Sequence, residues 1–475
     1  MLKFLPLQFL QLVMSKFRWI TALCLSAILI LSNALPAFAF CGFYVAKADT
    51  KLYNQASQVA IARAENRTVL TMANDYQGEV KDFAMVVPVP TVLQKEQVKV
   101  AESKIMERLD AFSAPRLVEY FDANPCEPQR AYESDFGLRQ SVAPAAAPAP
   151  LSRNRTDALG VKVESQFNVG EYDIVVLSAK ESGGLETWLR ESGYKIPNGA
   201  KDLLKPYIRQ KLKFFVVKVN LDKFEATGFS KLRPIQISYD SPRFMLPIRL
   251  GMVNAQQAQD LMVYILSPKG RAEVANYRTV RIPSDMNIPE FVKGEFSDFY
   301  KSMFTSSYDR ENRNVAFLEY AWNMGNCDPC SADPLNPEEL KQAGVFWLEQ
   351  PIGDNRARPA PPWGRRPPMM RSSNVFITRL HVRYTRDRFP EDLMFQATNN
   401  EENFQGRYIM QHPYLEESTC DAGKQYRASL PKRFEQEAQT LAKLTGWKID
   451  DIRRKLPTVK LADVSWIDRF RANFR

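Results

Sequence analysis

The residues whose spacing most directly suggests a reaction are Cys327-Asp328-Pro329-Cys330, two cysteines two residues apart. Such a pair exchanges disulfides when one sulfur is a low-pKa thiolate that attacks a substrate disulfide. That thiolate is normally stabilised by a helix N-terminus directly after a strand. Here Pro334 intervenes and the next good helix cap is Asn336, so the motif is expected on a loop. Joined by Cys420 and His412, the pair could instead offer three thiolates and one imidazole to tetrahedral zinc, but the second half lacks a compact ligand spacing and no metal is expected. The remaining reading is stapling, with Cys41, Cys126, Cys327, Cys330 and Cys420 as disulfide candidates. A Cys41–Cys126 bridge would tie down the start of the mature chain. Cys327 or Cys330 with Cys420 would join its last third to its middle. Spacing does not choose the connectivity, and five cysteines leave one over.

Cationic groups give the second chemistry. In the strand-like run Val375 to Tyr384, alternation puts Phe376, Leu380, Val382 and Tyr384 on one face and Arg379, His381 and Arg383 on the other. Three adjacent donors could clamp a phosphate or carboxylate, the arginines keeping the imidazole neutral at pH 7; alternatively they form a solvated face with cross-strand Glu or Asp partners. Arg356, Arg358, Arg365, Arg366 and Arg371 lie in a Pro-rich tract with Trp363 and no acid, an extended loop that could pair with anions. His412, before Pro413, reads as a structural hydrogen-bonding residue.

Hydrolase and nucleotide chemistry find little support. Gly-x-Ser-x-Gly, His-Glu-x-x-His, Gly-x-x-x-x-Gly-Lys and Gly-x-Gly-x-x-Gly are all absent, and no cofactor is expected.

These candidates depend on compartment, which the N-terminus addresses. Residues 1–39 hold Lys3, Lys16 and Arg18, no acid, the apolar run Ile20 to Leu31 and then Ala37-Phe38-Ala39. This is the pattern of a cleavable export signal, with Met14 an alternative start. Phe40 before Cys41 does not suit lipid attachment, which needs a small residue there. The chain has 475 residues with 64 Lys plus Arg against 54 Asp plus Glu. Losing three basic residues and no acid with the signal leaves a net charge of +7. That mild charge allows weak attraction to anionic envelope components at most. Nucleic acid is a poor partner for an exported chain. Another exported protein is the other partner class, and no later segment has the apolar length of a membrane span. The mature protein is expected to be periplasmic or secreted, and non-catalytic binding or scaffolding in the envelope is the leading expectation.

The elements that must position these residues read as α+β, with mixed, mainly antiparallel sheets, short packing helices and a C-terminal helical pair. Residues 40–140 form a first unit. It has a hairpin across Glu65-Asn66-Arg67, a buried strand Phe83 to Val87, a helix on Ile105, Leu109 and Phe112, and a second helix capped by Ser113 with Leu117, Val118 and Phe121. An Ala/Pro-rich connector, 141–158, precedes a central unit, 159–354. Its strands are Val161 to Phe167, Tyr172 to Leu177 and Lys213 to Val219, with a helix on Leu185, Trp188 and Leu189. A hairpin across Ser267-Pro268-Lys269-Gly270 and a capping box at Asn336-Pro337-Glu338-Glu339 follow. The Arg/Pro-rich loop, 355–372, leads to a last unit, 373–475. It carries strands Val375 to Tyr384, Asp392 to Thr398 and Arg407 to Gln411, a helix Lys432 to Leu444 ended by Gly446, and a helix Ile449 to Leu456.

The stretches Cys41-Gly42-Phe43-Tyr44-Val45-Ala46, Thr71 to Gly78, Phe83 to Pro90, Phe244 to Gly251 and Cys327-Asp328-Pro329-Cys330 resemble an exported bacterial family catalogued as domain of unknown function 2330. The resemblance covers nearly the whole mature chain. It implies export, and it carries no reaction, ligand or catalytic residue to transfer.

Overall fold

The hairpin across Glu65-Asn66-Arg67 forms as its alternation requires, with Glu65 in the left-handed region at φ 53°. It belongs to a computed structural model that describes residues 43–46, 53–77, 83–127, 160–192, 200–220, 222–224, 232–253, 258–326, 328, 331–349 and 374–457. Strands β1 (Phe43–Ala46), β2 (Tyr53–Ala64), β3 (Arg67–Gln77), β4 (Phe83–Val89) and β5 (Val98–Val100) precede helix α1 (Ser103–Ser113) and strand β6 (Arg116–Phe121). Next come β7 (Val161–Val169), β8 (Tyr172–Ala179), α2 (Ser182–Glu191), α3 (Ala200–Arg209) and β9 (Lys213–Val219). The chain continues through β10 (Ile235–Asp240), β11 (Met245–Leu246), β12 (Gln259–Ser267), β13 (Ala272–Val274), β14 (Arg278–Arg281), β15 (Met286–Asn287), α4 (Phe296–Arg310), β16 (Val315–Asn323) and α5 (Pro337–Gln342). Last are β17 (Phe376–Tyr384), β18 (Leu393–Ala397), β19 (Phe404–Gln405), β20 (Arg407–His412), α6 (Asp421–Thr445) and α7 (Ile449–Lys455).

A nine-stranded sheet runs β14-β16-β17-β12-β2-β3-β10-β5, with β19 also on β16, and a five-stranded sheet runs β1-β4-β9-β8-β7. Two three-stranded sheets are β11-β18-β13 and β15-β20-β6. Most neighbours are antiparallel, whereas β2 with β12, β14 with β16 and β20 with both β15 and β6 are parallel. The fold is therefore α+β with mixed sheets. The nine-stranded sheet takes strands from the stretches before 141, between 159 and 354 and after 373, so hydrogen bonding ties all three together.

Apolar alternation stacks the layers. Val59, Ile61, Leu261, Val263, Leu380 and Val382 of the large sheet face Met85, Val87, Ile174, Val176, Phe215 and Val217 of the five-stranded one. The outer face of the five-stranded sheet is covered by Leu185 and Leu189 of α2 and Leu204 and Tyr207 of α3. On the far face of the large sheet, Ile105, Leu109 and Phe112 of α1 and Leu340 of α5 pack over one half, and α4 and α6 over the other. The order is helices, sheet, sheet, helices, each layer burying one stripe or face.

Several local expectations hold. Asn336 Oδ1 accepts from the Glu339 N–H at 2.9 Å while Glu339 Oε2 accepts from the Asn336 N–H at 2.9 Å, the reciprocal box that starts α5. Gly446 ends α6 at φ 75°. β4 runs on through Pro88, where the described part of β1, paired from Val86 to Phe83, no longer reaches, so no described strand on that side needs the missing N–H.

Others need correction. The helix expected after Ser113 is strand β6. Pro115 interrupts helical continuation, the Ser113 hydroxyl instead donates back to the Leu109 carbonyl, and the residues 116–121 pair with β20. The turn at 268–270 is present, but β12 and β13 are not partners: β12 lies between β17 and β2, while β13 pairs with β18. Gly270, at φ 49°, allows this crossing because a Cβ there would lie 2.5 Å from the Thr398 carbonyl oxygen. α6 starts eleven residues before Lys432 and carries Pro431 inside it, anchored at its N-cap, Cys420. α3, with Pro206 inside it, was not foreseen.

Candidate functional site

Arg379, His381 and Arg383 share one face of β17 as alternation requires, but that face is covered by helices and not solvated. Arg379 is 5% exposed and His381 4%. Their partners come from strands on either side. Asp260 of β12 stands opposite Arg383 and receives two of its hydrogen bonds, at 2.7 and 2.8 Å. On the other side β16 bulges between Leu318 and Tyr320, and the residue at the bulge is Glu319. The bulge gives Phe317, Glu319 and Tyr320 to the helix-covered face, while Leu318 and Ala321 stay in the inter-sheet core.

Glu319 is fully buried and central. Arg379 Nε donates to its Oε2 at 2.6 Å, His381 Nδ1 to its Oε1 at 2.8 Å, and the Tyr300 hydroxyl of α4 also donates to it. Arg379 reaches Asp110 of α1 at 2.7 Å, where the Tyr264 hydroxyl donates as well. His381 Nε2 is 3.3 Å from Asp260 Oδ1, an ion contact out of line for a hydrogen bond, and the ring stacks on Phe304 with centroids 3.7 Å apart. Three carboxylates and three cations thus alternate across β12, β17, β16 and α1.

The electrostatics follow from that alternation. Burial acts to raise the Glu319 carboxyl, but Arg379 and His381 outweigh it and hold it at about 2. Burial likewise opposes ionisation of Asp260, and His381 and Arg383 bring it to about 2. Burial alone would lower His381, yet Glu319 and Asp260 raise it above its ordinary value. The expectation that neighbouring arginines keep this imidazole neutral is therefore reversed by two carboxylates in direct contact. The cluster's cations are matched by the chain's own acids. An incoming phosphate would have to displace Glu319 or Asp260, so this face is a structural lock between strands and helices.

A second polar cluster surrounds the disulfide. Cys126 and Cys420 are bonded with Cα atoms 5.9 Å apart, so Cys126 does not pair with Cys41, nor Cys420 with Cys327 or Cys330. The bond also removes Cys420 from the zinc set. His412 is engaged elsewhere, with Glu119 at 2.8 Å and Glu290 at 2.7 Å, the structural role read for it. Asp122, just past β6, accepts from Gln411 Nε2 and Arg433 Nη1, both at 2.6 Å, and from the Tyr426 hydroxyl. Burial acts to raise Asp122 and these donors pull it below its ordinary value. Nearby Glu437 of α6 is pushed up to about 7 by burial, incompletely offset by Arg433, 3.4 Å away.

This part of the described surface also carries exposed large apolar side chains. Tyr120 is 48% exposed, Phe121 75% and Leu415, three residues past β20, 68%. Phe121 stacks on the His412 ring at 4.4 Å between centroids. The amides of Arg116 and Asp122 point to β20, bonding Gly406 and His412 carbonyls. By the two-residue period, the polar backbone groups of Leu117, Glu119 and Phe121 face the opposite way, along an edge where no described strand lies. Sequence reading missed Tyr120 and Phe121 as a surface because it placed them on a helix. Their signal is the run Val118 to Phe121 after Pro115, rich in β-formers.

Cys41, Cys327, Cys330, Arg356, Arg358, Arg365, Arg366, Arg371, the signal and the 141–158 connector lie outside the described residues. Asp328, inside the cysteine pair, is described: its Oδ2 accepts from the Tyr320 hydroxyl at 2.8 Å and Gln405 Nε2 at 3.0 Å. Among the described residues no group of three or more His, Cys, Asp and Glu is arranged to hold a metal ion, and no helix is long and apolar enough to cross a membrane.

A family described as "Uncharacterized protein conserved in bacteria (DUF2330)" matches residues 35–396, which leaves β19, β20, α6 and α7 beyond the match. No curated protein and no solved structure matches the chain.

Proposed function

We propose that this chain, which belongs to the bacterial DUF2330 family, is an exported, non-catalytic binding protein that docks another envelope protein along the outer edge of β6. The observation that carries this reading is the pairing of exposed Tyr120 and Phe121 with the Cys126–Cys420 bridge beside them. A strand edge offers unpaired N–H and C=O groups to an extended segment, and flanking aromatics supply apolar contact at low entropic cost. A disulfide closing 294 residues is the kind of brace that persists in an oxidising compartment, in keeping with the basic, apolar and Ala-rich character of residues 1–39.

Thiol–disulfide catalysis at Cys327 and Cys330 is the reading this one displaces. The next helix along the chain among the described residues begins at Pro337, does not directly follow the cysteine pair, and has only six residues, so the sequence offers no adjacent helix N-terminus to stabilise a thiolate. The test is a photo-crosslinking residue at position 121 in the bacterial envelope, with position 269 on the remote turn as control. A discrete adduct from 121 alone, whose partner co-elutes with the wild-type protein but not with Y120S/F121S of unchanged circular dichroism, supports the reading. Equal adducts from both positions, none from 121, or co-elution indifferent to Y120S/F121S refutes it.

A further inference from the structure

We infer, on the footing of the docking reading above, that the partner lays along β6 an extended segment in which basic residues stand beside apolar ones. Charge at this surface runs against the charge of the chain. The sequence has 64 Lys plus Arg against 54 Asp plus Glu, yet the acids around Tyr120, Phe121 and Leu415 exceed the cations that answer them. Glu119 is matched by Lys293 and by His412, each at 2.8 Å, and His412 is shared with Glu290 at 2.7 Å. Arg433 answers Asp122, and Lys424 answers Asp421. Glu127, Glu416 and Glu417 are exposed and make no ion pair with any described residue. These three are gathered at one place. β20 ends at His412, opposite Phe121, so the two chains leave the same end of the sheet, and the Cys126–Cys420 bond ties them together again within a few residues. The Tyr414 hydroxyl, which donates to Glu416 at 2.9 Å, is raised above its ordinary value by that bond and by the nearby charge of Glu127.

The strand edge turns this surplus into a pattern. Along β6, Glu119 and Phe121 share one face while Val118 and Tyr120 share the other. A strand added at the open edge brings its side chains to within about 5 Å of these, which favours a cation opposite Glu119 and apolar or aromatic groups opposite Tyr120 and Phe121. Beyond Phe121 the same segment passes Leu415 and the three unmatched glutamates, where further Lys or Arg residues meet complementary charge. The exposed aromatic rings also accept cations on their faces. A second copy of this chain is the poorer occupant: a two-fold pairing of β6 with itself sets Glu119 opposite or diagonal to its own image and adds acid to acid.

Fluorescence anisotropy with the full mature chain tests the sign of the charge. One labelled peptide alternates Lys with Val and Phe; its counterpart carries Glu in place of every Lys. The Lys peptide should bind at least about tenfold more tightly, with an affinity that falls as salt rises. A chain of net positive charge would by itself prefer the Glu peptide, so the order of the two is diagnostic. E127K/E416K/E417K, all at exposed positions, should weaken the Lys peptide by about tenfold with an unchanged thermal midpoint, and Y120S/F121S should abolish its binding. The partner trapped at position 121 in the envelope gives a second readout: its cross-linked segment should carry more Lys and Arg than Asp and Glu. Binding of neither peptide, equal binding of both, a triple variant that binds as wild type does, or an acidic or neutral cross-linked segment overturns the basic partner and leaves docking at β6 standing. An adduct from 121 to a second copy, or to another segment of the same chain, overturns it as well. The absence of any adduct at 121 removes the docking reading, and the basic partner falls with it.

Discussion

Replacing Glu319 with Gln should cost the folded state about 3 kcal/mol at pH 7, and the figure can be worked from the geometry. Glu319 is 0% exposed and is held at about 2 against an ordinary 4.5. At 1.36 kcal/mol for each tenfold, that preference for the charged form amounts to about 3 kcal/mol. Removing one partner of a buried ion pair costs a similar amount, about 3–5 kcal/mol, because the opposite charge is left behind. E319Q keeps the shape of the side chain, and Arg379 keeps Asp110 while His381 keeps Asp260, so the loss is mainly electrostatic. The sign of the pH dependence follows. A carboxyl depressed by folding adds stability that is present above pH 4.5 and disappears as pH falls through about 2. Urea unfolding with the disulfide intact reads both effects: with m about 3 kcal/mol/M, the E319Q midpoint at pH 7 should fall by about 1 M, and the variant should lose less on going to pH 3 than wild type does. The chain has two histidines, so two imidazole signals can be followed by NMR. The signal missing from H381N should titrate above 6.5 in wild type and shift downward in E319Q. An E319Q midpoint within about 0.2 M of wild type, with the acid slope unchanged, would refute the reasoning.

Glu437 gives the opposite sign. Its folded-state value near 7 means that ionisation is disfavoured by folding, so E437Q should stabilise the protein by about 1–3 kcal/mol at pH 8 and by nothing at pH 4, read from the same denaturation series. C126S or C420S frees a loop of 294 residues, and chain entropy puts the loss at about 6 kcal/mol, measurable as a midpoint drop that reducing agent reproduces in wild type. Gly270→Ala forces a left-handed backbone and a 2.5 Å clash with the Thr398 carbonyl, so calorimetry should show a loss of about 2 kcal/mol or more, whereas Gly183→Ala, with open space around it, should be neutral or stabilising.

What could be read in the sequence was what neighbours along the chain decide. Lys213 to Val219 is strand β9 from end to end because a continuous apolar run with β-branched residues has few alternatives. Asn336 and Gly446 mark helix ends because caps act within four residues. The face of β17 that carries Arg379, His381 and Arg383 was legible, but its environment was not. Their acids lie 60, 123 and 269 residues away in sequence, and alternation is the same on a solvated face and on one roofed by helices. Glu319 in Val315 to Asn323, a lone acid in an apolar run, is the local signal that a buried charge needs a buried partner. Strand β6 and the pairings of β12 and β13 were misjudged for the same reason. A six-residue amphipathic segment or a well-formed turn is compatible with more than one outcome until a distant strand supplies its hydrogen bonds.

Non-reducing peptide mapping of the protein recovered from bacterial fractions, with free thiols alkylated at lysis, tests the central claim most directly. An exported protein braced at its docking edge should appear in the periplasmic or secreted fraction, begin at Phe40, and yield a linked peptide joining Cys126 to Cys420. A cytosolic chain that retains its initiating methionine and has both cysteines alkylated would contradict export, the brace and the docking surface together.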